Sequence, residues 1–176
     1  MTCHIFGGIK DIRFPSSFDG IWKPDVLLYN SVDENFDTMY KSNLVVYNTS
    51  VVNWIPPAIL KFSCMGMSVT WFPFDDQLCE LKFSSWTYHG LAVNLTIEYP
   101  KGEDYGKFFI QFLNTVDSLE HHMDLSTYIV NGEWDLISTK SKRSVDYFTC
   151  CPEPYTTIMY HMHMRRRTLY YGMHCI

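Results

Sequence analysis

Two cysteines stand side by side at Cys150 and Cys151, and two more, Cys64 and Cys79, enclose fourteen residues. Adjacent thiols join only through a strained eight-membered ring, a geometry that marks functional positions. Unjoined, they are two ordinary free thiols. A bridge across the Cys64–Cys79 loop would restrict the unfolded chain and contribute roughly 3 kcal/mol in the chain-entropy picture. The remaining cysteines are Cys3 and Cys175, and no C-x-x-C pair occurs, which argues against a zinc ribbon or a thioredoxin-type site. His161 and His163 would share one face of a strand and could begin a metal site. The sequence offers no third ligand, so neither a metal nor a cofactor is expected. Tyr29, Trp86, Tyr88, Tyr147, Phe148 and Tyr155 lie beside turn residues at the ends of apolar runs. Rings presented from loops hold an organic cation through their quadrupoles, with no carboxylate required. The same rings in a core would pair across a sheet. No G-x-S-x-G, H-E-x-x-H or Gly-rich phosphate loop is present, and Asp75-Asp76 within Phe72-Pro73-Phe74 reads as a turn. Binding rather than catalysis is the expectation.

These residues need elements to position them. In 176 residues, 47% are hydrophobic, enough for one domain with a core, and 16% are aromatic, which favours β-structure. The net charge of −5 weighs against a nucleic-acid footprint. Turn residues recur at Phe14-Pro15-Ser16-Ser17, Lys23-Pro24-Asp25, Ile55-Pro56-Pro57, His89-Gly90, Asn131-Gly132 and Pro152-Glu153-Pro154. Between them run Val26 to Tyr29, Leu44 to Tyr47, Ala58 to Phe62, Leu78 to Phe83, Leu91 to Tyr99 and Thr156 to Met164. Short runs at this spacing predict an all-β sandwich or barrel. The alternation from Leu91 to Tyr99 predicts a half-buried strand with Asn94 toward water.

One segment departs from this pattern. Phe108, Phe109, Phe112, Leu113, Val116 and Leu119 recur at helical spacing, which predicts a short amphipathic helix over Lys107 to Glu120 inside an insertion between strands. Two sequons, Asn48-Thr49-Ser50 and Asn94-Leu95-Thr96, are candidate glycosylation sites. No apolar run reaches about 18 residues, so no complete membrane-spanning helix is expected. The first residues have neither the charged n-region nor the long apolar h-region of a secretory signal.

Several strings then become recognisable together. Trp22-Lys23-Pro24-Asp25-Val26-Leu27-Leu28-Tyr29-Asn30, Phe72-Pro73-Phe74-Asp75-Asp76-Gln77 with Cys79, Ser85-Trp86-Thr87-Tyr88, Cys150-Cys151-Pro152-Glu153-Pro154-Tyr155 and Arg165-Arg166-Arg167-Thr168-Leu169-Tyr170-Tyr171 follow in that order. Asn131-Gly132-Glu133-Trp134-Asp135-Leu136 accompanies them. Together the sequence resembles α-type subunits of the nicotinic acetylcholine receptors, in the Cys-loop family of pentameric ligand-gated ion channels.

The resemblance implies an extracellular ligand-binding domain, a β-sandwich spanning 1–171 with an insertion at about 100–123. It implies that 172–176 are a stub of the first transmembrane helix and that the N-terminal helix and first strands are missing, so this polypeptide has no pore. Membrane contact would come only through the missing segments. By position, Tyr29, Trp86, Phe148 and Tyr155 would line the principal ligand face, and Cys150 and Cys151, joined as a vicinal disulfide, would cap it. Val45, Asn53 and Ile55 would serve the complementary face. Cys64 and Cys79 would close the signature loop, one residue longer here. The implied ligand is acetylcholine or a similar quaternary ammonium. The implied partners are other receptor subunits in a pentamer, on the extracellular side of a postsynaptic plasma membrane. The alternatives are a soluble acetylcholine-binding module or a dominant-negative fragment that joins full subunits.

Some positions depart from the family pattern. Phe148 stands where the family has a tyrosine, and His89 replaces the usual acid after the Trp86 loop. Lys82 matches a lysine that the family couples to that tyrosine and to an aspartate. The aspartate position here is Thr157, so two of the three coupling partners are absent.

Overall fold

The computed structural model of the chain describes residues 8–36, 38–97 and 123–169. They form two compact units, one drawn from Met1–Pro24 and Asp33–Lys61, the other from Asp25–Val32 and Phe62–Ile176. The expected all-β class is what forms: each unit is built on an antiparallel sheet, and the described residues hold almost no helix.

The smaller unit carries β1 (Asp11–Phe14), β3 (Leu44–Tyr47) and β4 (Val52–Asn53) in the order β1-β3-β4. Its core residue is Leu44, 1% exposed, which pairs with Phe14 across the ladder. Phe14 in turn stacks on Phe18 at 5.2 Å. The β3–β4 hairpin turns at Asn48-Thr49-Ser50, where the Tyr47 amide donates to Val51 and the Ser50 amide to Tyr47. Ser50 takes a left-handed φ of 67° to close it.

The larger unit carries β2 (Val26–Leu28), β5 (Asp76–Ser85), β6 (Trp134–Phe148) and β7 (Cys151–Arg166), in the order β2-β5-β7-β6. Alternation along β5 decides which face is inside: Gln77, Cys79 and Leu81 are buried, while Asp76, Leu78 and Glu80 are exposed. Phe83 meets Tyr160 edge-on at 5.8 Å on the inner side. β6 lines that face with hydroxyls, Thr139 and Ser141 being 2% and 1% exposed. The β6 strand is launched by Asn131, whose Oδ1 accepts the amides of Glu133 and Trp134, an Asx turn at the expected break. The expected Cys64–Cys79 bridge is formed, and the loop it closes is held to Gln77, whose side chain exchanges hydrogen bonds with the Ser68 backbone.

The strand pattern needs correction in places. Val26 to Tyr29, Leu44 to Tyr47, Leu78 to Phe83 and Thr156 to Met164 all become strand, wholly or nearly so. Ala58 to Phe62 does not; it contributes only two isolated bridges, Met39↔Ala58 and Ser31↔Phe62. Leu91 to Ile97 is not strand either. From Ala92 onward its side chains alternate in burial as expected, Leu91 being 75% exposed, and Arg143 holds its backbone, donating from Nε to the Leu95 carbonyl at 2.8 Å. The amphipathic helix over Lys107–Glu120, nearly all of the insertion at 100–123 and the stub at 172–176 lie outside the described residues.

At the end of the larger sheet away from the Cys150-Cys151 turn, Arg166 is the anchor. It makes two bonds to Asp75, at 2.8 and 3.0 Å, and its guanidinium lies 4.2 Å from the Trp134 ring centroid and 5.1 Å from that of Phe72. Hydrogen bonding from Arg166 outweighs burial and holds the Asp75 carboxyl down at about 2. Arg165 clasps Asp76 in the same way, and Arg167 reaches Asp135. Asp75-Asp76 is thus a pair of arginine acceptors.

Candidate functional site

The register of the larger sheet decides which residues can meet. Residues directly opposite in antiparallel strands project to the same face. Lys82 opposes Met159, Ser84 opposes Thr157, and Asp146 opposes Tyr155. Tyr29 continues β2 opposite Lys82, its amide donating to the Lys82 carbonyl at 2.8 Å. Tyr29, Lys82, Thr157, Tyr155 and Asp146 therefore share the outer face of the sheet. Trp86 follows directly after β5, and Phe148 ends β6.

Two aromatic pairs form there. Tyr29 and Trp86 have ring centroids 5.6 Å apart, tilted by 46°. Phe148 and Tyr155 meet edge-on at 5.3 Å. Tyr29 is anchored by its hydroxyl, which donates to the Ser85 carbonyl at 3.0 Å. Trp86 is 63% exposed and Phe148 53%, so both present ring surface to water. Exposed indole and phenyl faces grouped in this way attract a desolvated organic cation. Of the other ring candidates, Tyr147 is 71% exposed, and the Tyr88 amide bonds to the Ser85 hydroxyl.

Asp25 positions the Trp86 loop. Its carboxylate accepts from the Ser85 hydroxyl and from both the amide and hydroxyl of Thr87, and its carbonyl takes the Trp86 amide at 3.3 Å. Burial works against its charge, yet the bonds from Ser85 and Thr87 prevail and hold the carboxyl below its usual range. On the far side of the loop, the Gly90 amide donates to the Pro154 carbonyl at 2.6 Å. A Cβ at Gly90 would stand 2.6 Å from Thr156 Oγ1 and 3.0 Å from the Pro154 oxygen, so this close approach needs glycine. The Trp86 loop is thereby pinned to the strand that carries Tyr155.

Cys150 and Cys151 sit at the β6–β7 turn with their Sγ atoms 2.6 Å apart, as thiols. The vicinal bridge expected from the resemblance is not closed here, although the two sulfurs are already side by side. The bond to Cys151 pushes the Cys150 thiol up, and the Cys151 sulfur, with burial, pushes up the Tyr155 phenol, which stays neutral near pH 7.

In the smaller unit, Val45 and Asn53 are directly opposed between β3 and β4, and Ile55, 74% exposed, lies two residues past Asn53. Val45 on the central strand and Asn53 on the edge strand are thus paired, and Ile55 lies just beyond that edge strand. The sequon asparagines are both exposed, Asn48 in the β3–β4 turn and Asn94 with its Oδ1 accepting from Arg143 at 2.9 Å. His161 and His163 do share a strand face, but each faces its own carboxylate, Glu80 at 3.1 Å and Asp76 at 3.3 Å. Among the described residues no cluster could hold a metal ion.

Sequence reasoning passed over Asp25, Gly90 and Asp146. Asp146 lies 3.9 Å from Lys82 Nζ and accepts from Thr157 Oγ1 at 3.4 Å. The absence of an acid at position 157 therefore does not leave Lys82 without a carboxylate. Only strand register could have revealed this, since Lys82 and Asp146 are far apart in sequence.

The family model for the neurotransmitter-gated ion-channel ligand binding domain matches residues 3–168. The chain is 47% identical over 171 residues to the acetylcholine receptor subunit alpha-type acr-16 of Caenorhabditis elegans, covering 97% of this chain and 30% of that protein. It is 45% identical over 170 residues to the alpha-type acr-7 subunit of the same nematode, with 94% and 28% covered. With the acetylcholine receptor subunit alpha-like of Manduca sexta it shares 37% identity over 171 residues, with 97% and 30% covered. The chain thus spans about 30% of the length of these curated relatives.

Proposed function

This chain belongs to the neurotransmitter-gated ion-channel ligand-binding domain family, whose members are receptors and not enzymes, and on that premise we propose that it binds acetylcholine or a similar quaternary ammonium. The ligand rests on the outer face of the larger sheet. Trp86 meets the ammonium, Tyr29, Phe148 and Tyr155 wall it, and the Cys150-Cys151 turn closes over it, the two thiols joined once the chain meets an oxidising compartment. Binding takes place between neighbouring subunits of a pentamer on the extracellular side of the plasma membrane. There, a surface equivalent to Val45, Asn53 and Ile55 on the adjoining subunit completes the site.

The observation that carries this reading is the pair of exposed aromatic contacts, Tyr29 with Trp86 and Phe148 with Tyr155. Rings left open to water at the ends of strands are unlike core aromatics, which pack away from solvent. A desolvated cation–π contact contributes about 2 kcal/mol, or roughly thirtyfold in Kd.

The test is acetylcholine binding by the chain secreted from animal cells, measured by calorimetry. Trp86→Ala should weaken binding roughly thirtyfold, and its exposure means the fold loses little. Phe148→Tyr, which adds a hydroxyl to the wall, should tighten it. Unchanged affinity in both variants would refute the aromatic site.

A further inference from the structure

We propose that Asp146 is the counter-ion of a resident cation, Lys82, and that this pair sets how strongly the aromatic face attracts a charged ligand. The inference rests on the ligand reading above and adds two residues that act on it through charge.

The geometry is a short relay across three strands. β7 lies between β5 and β6. Lys82 opposes Met159 and Asp146 opposes Tyr155, so Thr157 lies midway between them on the same face. Lys82 reaches diagonally over Thr157 to place Nζ 3.9 Å from Asp146 Oδ2, and the Thr157 hydroxyl donates to that same oxygen at 3.4 Å. The same Nζ stands 5.9 Å from the centroid of the Tyr29 ring. An ammonium of the protein's own thus faces a ring that the ligand reading places in the wall around the ligand's ammonium.

Two like charges near one ring repel, and they compete for its quadrupole. Asp146 cancels that repulsion by making the resident group a neutral pair. The neighbouring charges do not replace it. Glu80 on the same face is engaged with His161 at 3.1 Å, and Lys142, opposite Met159 on β6, adds a second positive charge. Both members of the pair are about two-fifths exposed, 41% and 40%, so solvent weakens their field without removing it.

The sign of each variant follows. Asp146→Asn leaves an uncompensated cation and should weaken acetylcholine binding about three- to fivefold. Lys82→Met leaves an uncompensated anion and should tighten it by about the same factor. The double variant should return near wild type, as should Asp146→Glu, which keeps the charge.

The experiment measures Kd for acetylcholine and for its neutral carbon isostere, 3,3-dimethylbutyl acetate, on the secreted full chain. A charge effect moves acetylcholine and leaves the isostere alone, whereas a packing defect moves both. Acetylcholine affinities that stay within twofold across the single variants, or isostere affinities that shift in parallel with them, overturn the proposal. Trp86→Ala is run alongside. If it loses acetylcholine while the charge variants stay flat, only this inference falls. If wild type recovered as pentamers fails to bind, or Trp86→Ala binds as wild type does, the ligand reading falls and takes this inference with it.

Discussion

Acid should loosen the base of the larger sheet through one carboxyl group. Asp75 is 4% exposed, its partner Arg166 has an 11% exposed side chain, and the two share a bidentate contact. The Asp75 carboxyl, ordinarily near 3.8, is held at about 2 in the fold. A depressed carboxyl stabilises the fold fully above its unfolded value and loses that contribution as pH falls through the folded one. The difference of about 1.8 units corresponds to roughly 2.4 kcal/mol, of which about 2 kcal/mol is gone by pH 2. Asp76 and Asp25 are also held below their usual range, so the isolating comparison is with Asp75→Asn. Urea unfolding of both proteins should be followed at pH 7, 4, 3 and 2. At pH 7 the variant should be less stable by several kcal/mol, because Arg166 keeps its burial and loses its charge partner. Below pH 4 the gap should narrow by about 2 kcal/mol as the wild type loses its anion. Parallel stability curves down to pH 2 would show that the Asp75–Arg166 contact does not carry the acid sensitivity.

Three further outcomes are expected. Gly90→Ala should push the Trp86 loop off β7, break the Gly90–Pro154 bond and cost about 1–3 kcal/mol, with weaker acetylcholine binding; unfolding and binding identical to wild type would remove Gly90 as the pin. Non-reducing peptide mapping of secreted material should find Cys64 joined to Cys79 and Cys150 joined to Cys151, each pair two hydrogens lighter than the reduced form. Recovery of Cys150 and Cys151 as separate alkylated thiols would contradict the vicinal bridge. Secreted chain should carry glycans at Asn48 and at Asn94, whose Nδ2 is left for attachment while Arg143 holds its Oδ1. Asn48→Gln and Asn94→Gln should each remove one glycan's mass on a gel, and an unchanged mobility would exclude that site.

Much of the candidate site was legible because it is written in residue type beside turn residues. Tyr29, Trp86, Phe148 and Tyr155 are large rings at strand ends, and the structure brings them into two pairs. β6 was hard to see for a physical reason. Its inward positions Thr139 and Ser141 are hydroxyls and its outward Lys140 and Lys142 are charged, so the strand alternates without a hydrophobic stripe. The run from Leu91 has the stripe but no ladder, because Arg143 engages the Leu95 carbonyl there. Alternation records which side chains are buried and not which backbone is paired. Asp146 was hidden for a related reason: a position-by-position reading looks at 157 for an acid, whereas the fold delivers one from the next strand.

The long hairpin of β6 and β7 limits how the turn at Cys150-Cys151 can travel. From Thr157 to Arg165, β7 is zipped on both sides, to β5 along one edge and to β6 along the other. Sliding it by a single residue would turn every ring and every charge to the wrong side, so lengthwise slippage is forbidden. The zip is interrupted between Leu136 and Ser138 and between Tyr147 and Phe148, where the ladder is locally bent. The second interruption falls beside the aromatic tip and the first near the arginine-clasped foot, so the hairpin is a regular ladder between two bends close to its ends.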